Sequence, residues 1–241
     1  MRCAVCGGFI AGRYITDAWG NSYCARHQDE YPPCRACQRL VCQGVTGGGV
    51  RYNDGRVYCR LCRATAIDTP AQARAITQRV QAQMARYGVD TRPYSFGLEM
   101  VPLSGIAEPG EDPARIHRRG RAETEIRTVN GQETERRVRV IRLLGGMPET
   151  LFAGVMAHEL GHVWLFMHRV DGLAPPLEEG LCNLFAYLTY QEIGTPEAHI
   201  HIRHIEEDPH PIYGAGFRQV WQRYQQMGLA PLLRAVLTGT V

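Results

Sequence analysis

The sequence predicts an α+β protein, in which a small cysteine-rich module of short strands precedes a mostly helical domain with a small β-sheet. Eight of the nine cysteines lie before residue 63, in a glycine-rich segment with little apolar periodicity. Beyond residue 145, apolar residues recur at helical spacing between proline and glycine boundaries. We therefore predict a module over residues 1–66, a connecting helix within 67–92 and a C-terminal domain over 93–241.

The amino-acid composition predicts the cellular compartment and excludes some classes of binding partner. The 241 residues contain no long apolar stretch, which predicts a cytoplasmic protein without a signal peptide or a membrane partner. A cytosol keeps thiols reduced, so the cysteines are better interpreted as metal ligands than as disulfides. The net charge of +3 is small and dispersed, which argues against a nucleic-acid partner. All 27 basic residues are arginine, a bias typical of a GC-rich and hence bacterial genome.

Metal-ligand pairs separated by two residues recur four times in the N-terminal module. They are Cys3 and Cys6, Cys24 and His27, Cys34 and Cys37, and Cys59 and Cys62. Eight ligands make two tetrahedral structural zinc sites, an arrangement typical of treble-clef, ribbon and LIM modules. Sequential pairing is the prediction, and an alternating cross-brace is the alternative. For Cys42 and Cys182 we expect small thiols without chemistry.

The remaining elements follow from turn and cap signals. Asp54-Gly55 predicts a hairpin turn inside the module, and Pro70 with Ile76, Val80 and Met84 predicts the connecting helix over 66–87. Residues 93–122, with charges clustered from Glu108 to Arg121, predict an irregular insertion. A hairpin over 125–144 turning at Asn130-Gly131 comes next. Helices are then predicted over 148–168, 176–193, 215–227 and 230–237.

The predicted helix over 148–168 contains the pattern His158-Glu159-x-x-His162. Histidines four residues apart project from one helical face, which is metal-ligand geometry, and Glu159 can reach a metal-bound water without being a ligand. Buried unpaired His and Glu would be costly on so apolar a helix, which disfavours a chance pattern. The motif predicts a catalytic zinc with Glu159 as general base.

A catalytic zinc usually takes three protein ligands, so a third must come from elsewhere. Glu178 and Glu179 lie at the start of the next predicted helix, and sixteen residues between His162 and Glu179 suffice for an antiparallel return. Both glutamates could instead only favour the positive end of a helix dipole. The alternative ligands, none at the short His-x-x-Gly-x-x-His spacing, are His168, His199, His201, His204 and His210.

Over nearly its whole length the chain resembles the DA1 peptidases of plants, which join LIM-like zinc modules to a C-terminal HExxH peptidase. The resemblance rests on the knuckles from Cys3 to Cys62 with Asp54-Gly55-Arg56, and on several later segments. These are Gly146-Met147-Pro148, Ala157 to Glu159, His162 to Leu165, Glu178 to Cys182 and Pro211 to Arg218.

The resemblance implies a gluzincin-type zinc peptidase that acts on protein substrates, with ubiquitin-related proteins as partners. It also favours Glu179 as the third ligand, because in HExxH-plus-Glu peptidases the ligand directly precedes a glycine; Glu178 is then a supporting residue. The chain departs from the plant proteins in having no tandem ubiquitin-interacting segment, no separate upstream LIM domain and no lysine. Activation by ubiquitin attachment is therefore not carried over.

Tyr213 is the candidate for a second catalytic residue. Zinc peptidases often place a Tyr or His beside the scissile carbonyl to stabilise the oxyanion, and the Pro-x-Tyr-Gly-x-Gly setting allows a tight turn. The alternative is that Tyr213 packs its ring in the core and caps a loop with its hydroxyl. His210 and His204 are weaker candidates for the same role.

The sequence thus predicts a zinc peptidase with one catalytic and two structural zinc ions, whose N-terminal module docks substrates or regulates activity. The second hypothesis is a LIM-like adaptor with an inactive or latent peptidase domain. The third is a zinc-ribbon nucleic-acid binder, which the lack of a dense basic stripe disfavours.

Overall fold

Two short hairpins form the N-terminal part of the chain in the computed structural model, which describes residues 1–107, 110–111 and 118–240. The first pairs β1 (Tyr14–Thr16) with β2 (Ser22–Cys24), and the second pairs β3 (Gly49–Arg51) with β4 (Val57–Cys59). The predicted turn at Asp54-Gly55 joins β3 to β4 and is confirmed, with Gly55 at a φ of 86°. Single-turn helices complete this part: α1 (His27–Glu30), α2 (Gln43–Thr46) and α3 (Arg60–Arg63).

The predicted connecting helix is α4 (Pro70–Arg86). It begins with a capping box in which the Thr69 hydroxyl accepts from the Gln72 N–H and the Gln72 side chain accepts from the Thr69 N–H, so two free N–H groups are satisfied. Its apolar residues Ile76, Val80 and Met84 are buried. The helix is therefore part of the main core as well as a connection.

A three-stranded sheet of order β5-β7-β6 follows. Strand β6 (Gly120–Val129) and β7 (Gln132–Leu144) form the predicted hairpin, turning at Asn130-Gly131, where both residues have a positive φ. Strand β5 (Gly97–Val101) pairs with β7 in parallel, and a 3₁₀ turn covers Leu103–Gly105. Among the described residues, no strand pairs with the outer edge of β6.

The predicted irregular insertion over 93–122 is wrong at both ends, because β5 lies inside it and β6 begins at Gly120. Strand β5 was not predicted, because it pairs in parallel with a strand far along the chain. Such a strand has no neighbouring hairpin turn that would mark it in the sequence. The middle of the predicted insertion, residues 108–109 and 112–117, lies outside the described residues.

Helices make up the rest of the chain. The predicted helices correspond to α5 (Glu149–Met167), α6 (Pro175–Ile193), α8 (Tyr213–Met227) and α9 (Leu229–Thr238). Helix α7 (Pro196–Glu206) was not predicted, although Thr195 caps it and Pro196 opens it, because its four apolar positions alternate with His, Arg and Glu. Both α5 and α6 are buried over most of their length, which places the predicted motif inside the core.

The second hairpin is joined tightly to the start of α5. The Arg56 side chain is only 5% exposed, pairs with Asp54 at 2.8 Å and donates to the carbonyl of Gly145 at 2.9 Å. Asp54 in turn accepts from the Leu103 N–H at 3.1 Å. Ile67 exchanges two backbone hydrogen bonds with residues 146–147. The half of the module that contains Cys34 to Cys62 accordingly shares the main apolar core, whereas Cys3, Tyr23, Leu40 and Cys42 form a separate small cluster.

Among the described residues, none of the helices combines the length and apolar character needed to cross a bilayer.

Candidate metal centre and active site

Helices α5 and α6 together carry the predicted ligands. His158 and His162 lie one turn apart on α5, and Glu179 lies in the first turns of α6, which returns against α5. The approach is close because Gly161 of α5 meets α6: a Cβ at Gly161 would lie 2.9 Å from the Cys182 Sγ. The apolar flanks of α5 fix its position in the core, so the two imidazoles point towards α6.

Three ligand atoms converge between the two helices. The Nε2 atoms of His158 and His162 are 3.2 Å apart, and Glu179 Oε2 lies 3.1 Å and 3.6 Å from them. A tetrahedral zinc with bonds of about 2.0–2.2 Å places its ligand atoms about 3.3–3.6 Å apart, close to these separations. Glu179 Oε2 is buried and makes no hydrogen bond of acceptable geometry. A cation would satisfy this oxygen, so the residues present fit a zinc ion.

Each histidine is held by a further side chain on α6. Asn183 Oδ1 lies 2.9 Å from Nδ1 of His158, and Glu178 Oε1 lies 3.0 Å from Nδ1 of His162. Both partners accept a hydrogen bond from Nδ1–H, which leaves the Nε2 lone pairs facing Glu179. Burial alone would raise the pKa of Glu179, but the adjacent His158 and His162 reverse this and hold its pKa well below the usual range. The carboxylate is therefore ionised and ready to bind a cation.

Glu159 lies on the neighbouring face of α5, against the sheet. Its side chain is buried, and its carboxylate accepts from the backbone N–H of Ala122 on β6. A Cβ at Gly120 would lie 2.5 Å from Glu159 Oε1, so any other residue here would displace the carboxylate or the strand. Burial raises the pKa of Glu159, although the neighbouring His158 and His162 oppose the shift. A carboxylate of raised pKa beside a metal group can act as a general base.

Tyr213 begins α8, at the same end of the helix pair. Burial raises the pKa of its hydroxyl, and the nearby charge of Glu179 raises it further, so the phenol stays protonated and able to donate. His210 Nδ1 accepts from the N–H groups of Ile212 and Tyr213 at 3.2 Å and 3.4 Å and thus caps α8. His210 therefore has a structural partner of its own.

The other candidate histidines lie away from the three-ligand group. His168 Nδ1 bonds to the carbonyl of Trp164 at 2.8 Å, and His201 packs against the ring of Tyr190. His204 neighbours His201 on α7. Among the described residues, the groups able to hold a metal are this one and the two in the N-terminal module.

The N-terminal module contains two four-residue groups, and their grouping is sequential rather than alternating. Their members are Cys3, Cys6, Cys24 and His27, and then Cys34, Cys37, Cys59 and Cys62. The Sγ atoms of Cys37 and Cys59 are 3.7 Å apart, close to the ~3.8 Å expected from zinc–sulfur bonds of about 2.3 Å. His27 Nε2 is buried without a partner while its Nδ1 bonds to Glu30. Both groups could therefore hold zinc.

Backbone N–H groups stabilise the thiolate form of these cysteines. Burial raises the pKa of Cys3, but N–H groups that include those of Cys6 and Cys24 outweigh it and lower the pKa to about 6. In the second group, the N–H of Cys59 donates to Cys34 Sγ at 3.3 Å and that of Cys62 to Cys59 Sγ at 3.4 Å. Thiolates are the form that binds zinc, and N–H donors stabilise them.

Three residues at the site were not predicted from the sequence. Asn183 lies four residues after Glu179, so helical spacing could have placed it on the ligand face. No sequence pattern marks Gly120 or Ala122 as a site residue, because their role depends on β6 lying against α5.

A family model matches the part of the chain that carries these residues. Residues 87–201, which span α5 and the ligand-bearing start of α6, match the family model described as "DA1-like: Protein DA1". This part of the chain resembles the DA1-like family. The matched range includes His158, Glu159, His162, Glu178 and Glu179, whereas the cysteine module precedes it.

The curated proteins that the chain resembles come from plants. Protein DA1-related 7 of Arabidopsis thaliana is 24% identical over 296 residues, covering 98% of this chain and 52% of the relative. Protein DA1 of Arabidopsis thaliana is 26% identical over 220 residues, covering 77% and 41%. The rice LIM domain-containing protein HDR3 is 26% identical over 197 residues, covering 70% and 39%. The chain thus spans about half the length of these relatives or less. No solved structure matches it significantly.

Proposed function

We propose that this DA1-like protein is a zinc-dependent peptidase of gluzincin type. The observation that carries the proposal is the convergence of His158, His162 and Glu179 on one point, with a buried Glu179 oxygen that has no hydrogen-bond partner. Three protein ligands leave a tetrahedral ion one open position, which is the arrangement of catalytic rather than structural zinc sites.

Each residue around that point has a distinct role in the proposed hydrolysis. Zinc held by the three ligands would supply a Lewis acid and a water of lowered pKa. Glu159 takes the proton of the attacking water and later delivers it to the leaving amine. The neutral Tyr213 hydroxyl donates a hydrogen bond to the oxygen of the carbonyl under attack.

The unpaired edge of β6 supports an extended protein or peptide as the substrate. The edge begins at Gly120, and the N–H of Ala122 already points at Glu159. An extended chain that adds to such an edge places its own peptide bonds along the row of free backbone groups. Protein substrates, including ubiquitin-related ones, follow from the family resemblance.

The two halves of the module have different contacts, and under this proposal they have different roles. The half around Cys34 to Cys62 contacts the connection between β7 and α5 through the hydrogen bond from Arg56 to Gly145, so it supports the peptidase fold directly. The half around Cys3 to His27 shares a small separate core with Leu40 and Cys42, and it is the part proposed for docking substrates. A cytoplasmic location and a bacterial origin remain predictions from the sequence.

Zinc content and a pair of matched variants test the proposal. We expect three zinc ions per chain, one of which exchanges under mild chelation with loss of peptidase activity that added zinc restores. Glu159→Gln should keep all three and its folding but lose kcat by at least about 10²-fold, because the base is gone. Glu149→Gln, an exposed glutamate on the same helix, is the control and should retain activity. Two zinc ions per chain, or unchanged cleavage by Glu159→Gln, would refute the assignment.

A further inference from the structure

Asn183 makes two side-chain hydrogen bonds, one at each end of its amide group. Its Oδ1 lies 2.9 Å from Nδ1 of His158 on α5. Its Nδ2 donates to the backbone carbonyl of Tyr213 on α8 at 3.2 Å. A carbonyl can only accept, so the NH₂ end must face Tyr213 and the oxygen end must face His158. The orientation of the amide is thereby fixed by its partners.

The His158 end sets the tautomer of that ring. An amide oxygen cannot donate, so Nδ1 of His158 carries the proton and Nε2 presents its lone pair to Glu179 Oε2, 3.1 Å away. The carboxylate of Glu178 accepts the corresponding hydrogen bond from Nδ1 of His162. The two histidines of the motif are therefore supported by different chemistry, an amide for one and a carboxylate for the other.

The Tyr213 end holds the first residue of α8 against α6. Helix α8 approaches α6 so closely that a Cβ at Gly180 would lie 2.3 Å from the carbonyl oxygen of Gly216. This close contact fixes the position of α8 along the axis of α6, but it includes no hydrogen bond that would fix the orientation of α8. The Asn183 amide supplies that bond, so the start of α8 and the Tyr213 ring are oriented from the same side chain that orients His158.

We propose that Asn183 is a positioning residue that couples the metal ligand His158 to Tyr213. Only an amide serves both ends, because a carboxylate would accept from His158 but repel the Tyr213 carbonyl. The coupling rests on the proposed peptidase function for its catalytic consequence, whereas its structural part can be measured without any substrate.

A double-mutant cycle tests the coupling. Asn183→Asp should keep zinc bound, because the acceptor for His158 remains, yet lower kcat about 10–100-fold as Tyr213 moves. In a Tyr213→Phe background the same change should lower kcat by less than about 3-fold, because the hydroxyl it mispositions is absent. Asn130→Asp, the same chemical change on the exposed β6–β7 turn, is the control for added charge and should leave kcat unchanged.

A spectroscopic measurement separates the coupling from the peptidase proposal. With 3-fluorotyrosine at position 213 only, the ¹⁹F resonance should shift in Asn183→Asp and stay in place in Asn130→Asp, with or without zinc. Asn183→Ser, which loses both amide contacts without adding charge, replaces the Asp variant if that protein does not fold. A moved resonance in an enzyme without peptidase activity would refute the peptidase proposal and leave the coupling intact. An unmoved resonance, or equal kcat losses in both backgrounds, would overturn the coupling.

Discussion

Gly120 offers the sharpest test of how the fold places the general base. In Gly120→Ala the new Cβ would lie 2.5 Å from Glu159 Oε1 and 2.8 Å from the Leu143 Cδ2. Ordinary contact begins near 3.4 Å, so the carboxylate must retreat by about 0.9 Å (3.4 minus 2.5) if the strand stays in place. A misplacement of about 1 Å costs on the order of 10²-fold in rate, or about 2.7 kcal/mol of barrier. Overpacking should also lower the free energy of unfolding by about 1–3 kcal/mol.

The assay compares kcat on a quenched fluorescent peptide mixture, zinc content and urea unfolding for the wild type and Gly120→Ala. We expect kcat to fall about 10²-fold while three zinc ions stay bound, because the ligands do not contact Gly120. Gly97→Ala on β5 is the matched control: its Cβ would meet nothing closer than 3.3 Å. A zinc-loaded Gly120→Ala enzyme with kcat within about 3-fold of the wild type would refute the placement of Glu159 against β6.

Two further predictions concern stability. Arg56→Ala should lower the free energy of unfolding by about 3–5 kcal/mol, because it strands Asp54 and the Gly145 carbonyl in a buried junction. Arg137→Ala, at an exposed ion pair, is the control and should lower the free energy of unfolding by less than about 1 kcal/mol. Equal decreases for the two variants in urea unfolding would contradict a stabilising role of the Arg56 junction. Burial lowers the pKa of His201 from 6.5 to about 3. Below pH 6.5 the imidazole therefore binds a proton in the unfolded chain but not in the folded one, so the free energy of unfolding decreases as the pH is lowered. Between pH 7.5 and pH 5 the wild type should lose about 2 kcal/mol more than His201→Asn, and parallel pH profiles would disprove this.

Much of the chemistry could be predicted from short-range pattern. The spacing of His158 and His162 places both on one face of any helix that forms there, whatever surrounds it. The repeated two-residue gaps between Cys3 and Cys62 define ligand pairs in the same local way. Asn130-Gly131 sets a hairpin turn because both positions tolerate a positive φ.

Where the sequence left alternatives, packing between distant elements decided them. The choice between Glu178 and Glu179 depends on how α6 rotates against α5, which a helical pattern alone does not fix. In the structure Glu179 faces both Nε2 atoms and Glu178 faces one Nδ1. The same holds for β5, whose parallel partner lies more than forty residues later.

The sequence by itself determined which residue types could bind metal, on which helix face they stand, and where the chain must turn, because these depend on neighbours within a few residues. Only the tertiary structure decided that Glu159 lies against Gly120 and Ala122, that Asn183 bridges His158 and Tyr213, and that Arg56 bonds to Gly145 just before α5. Each of these contacts joins elements far apart in the chain, and its geometry follows from how closely the buried helices and strands pack.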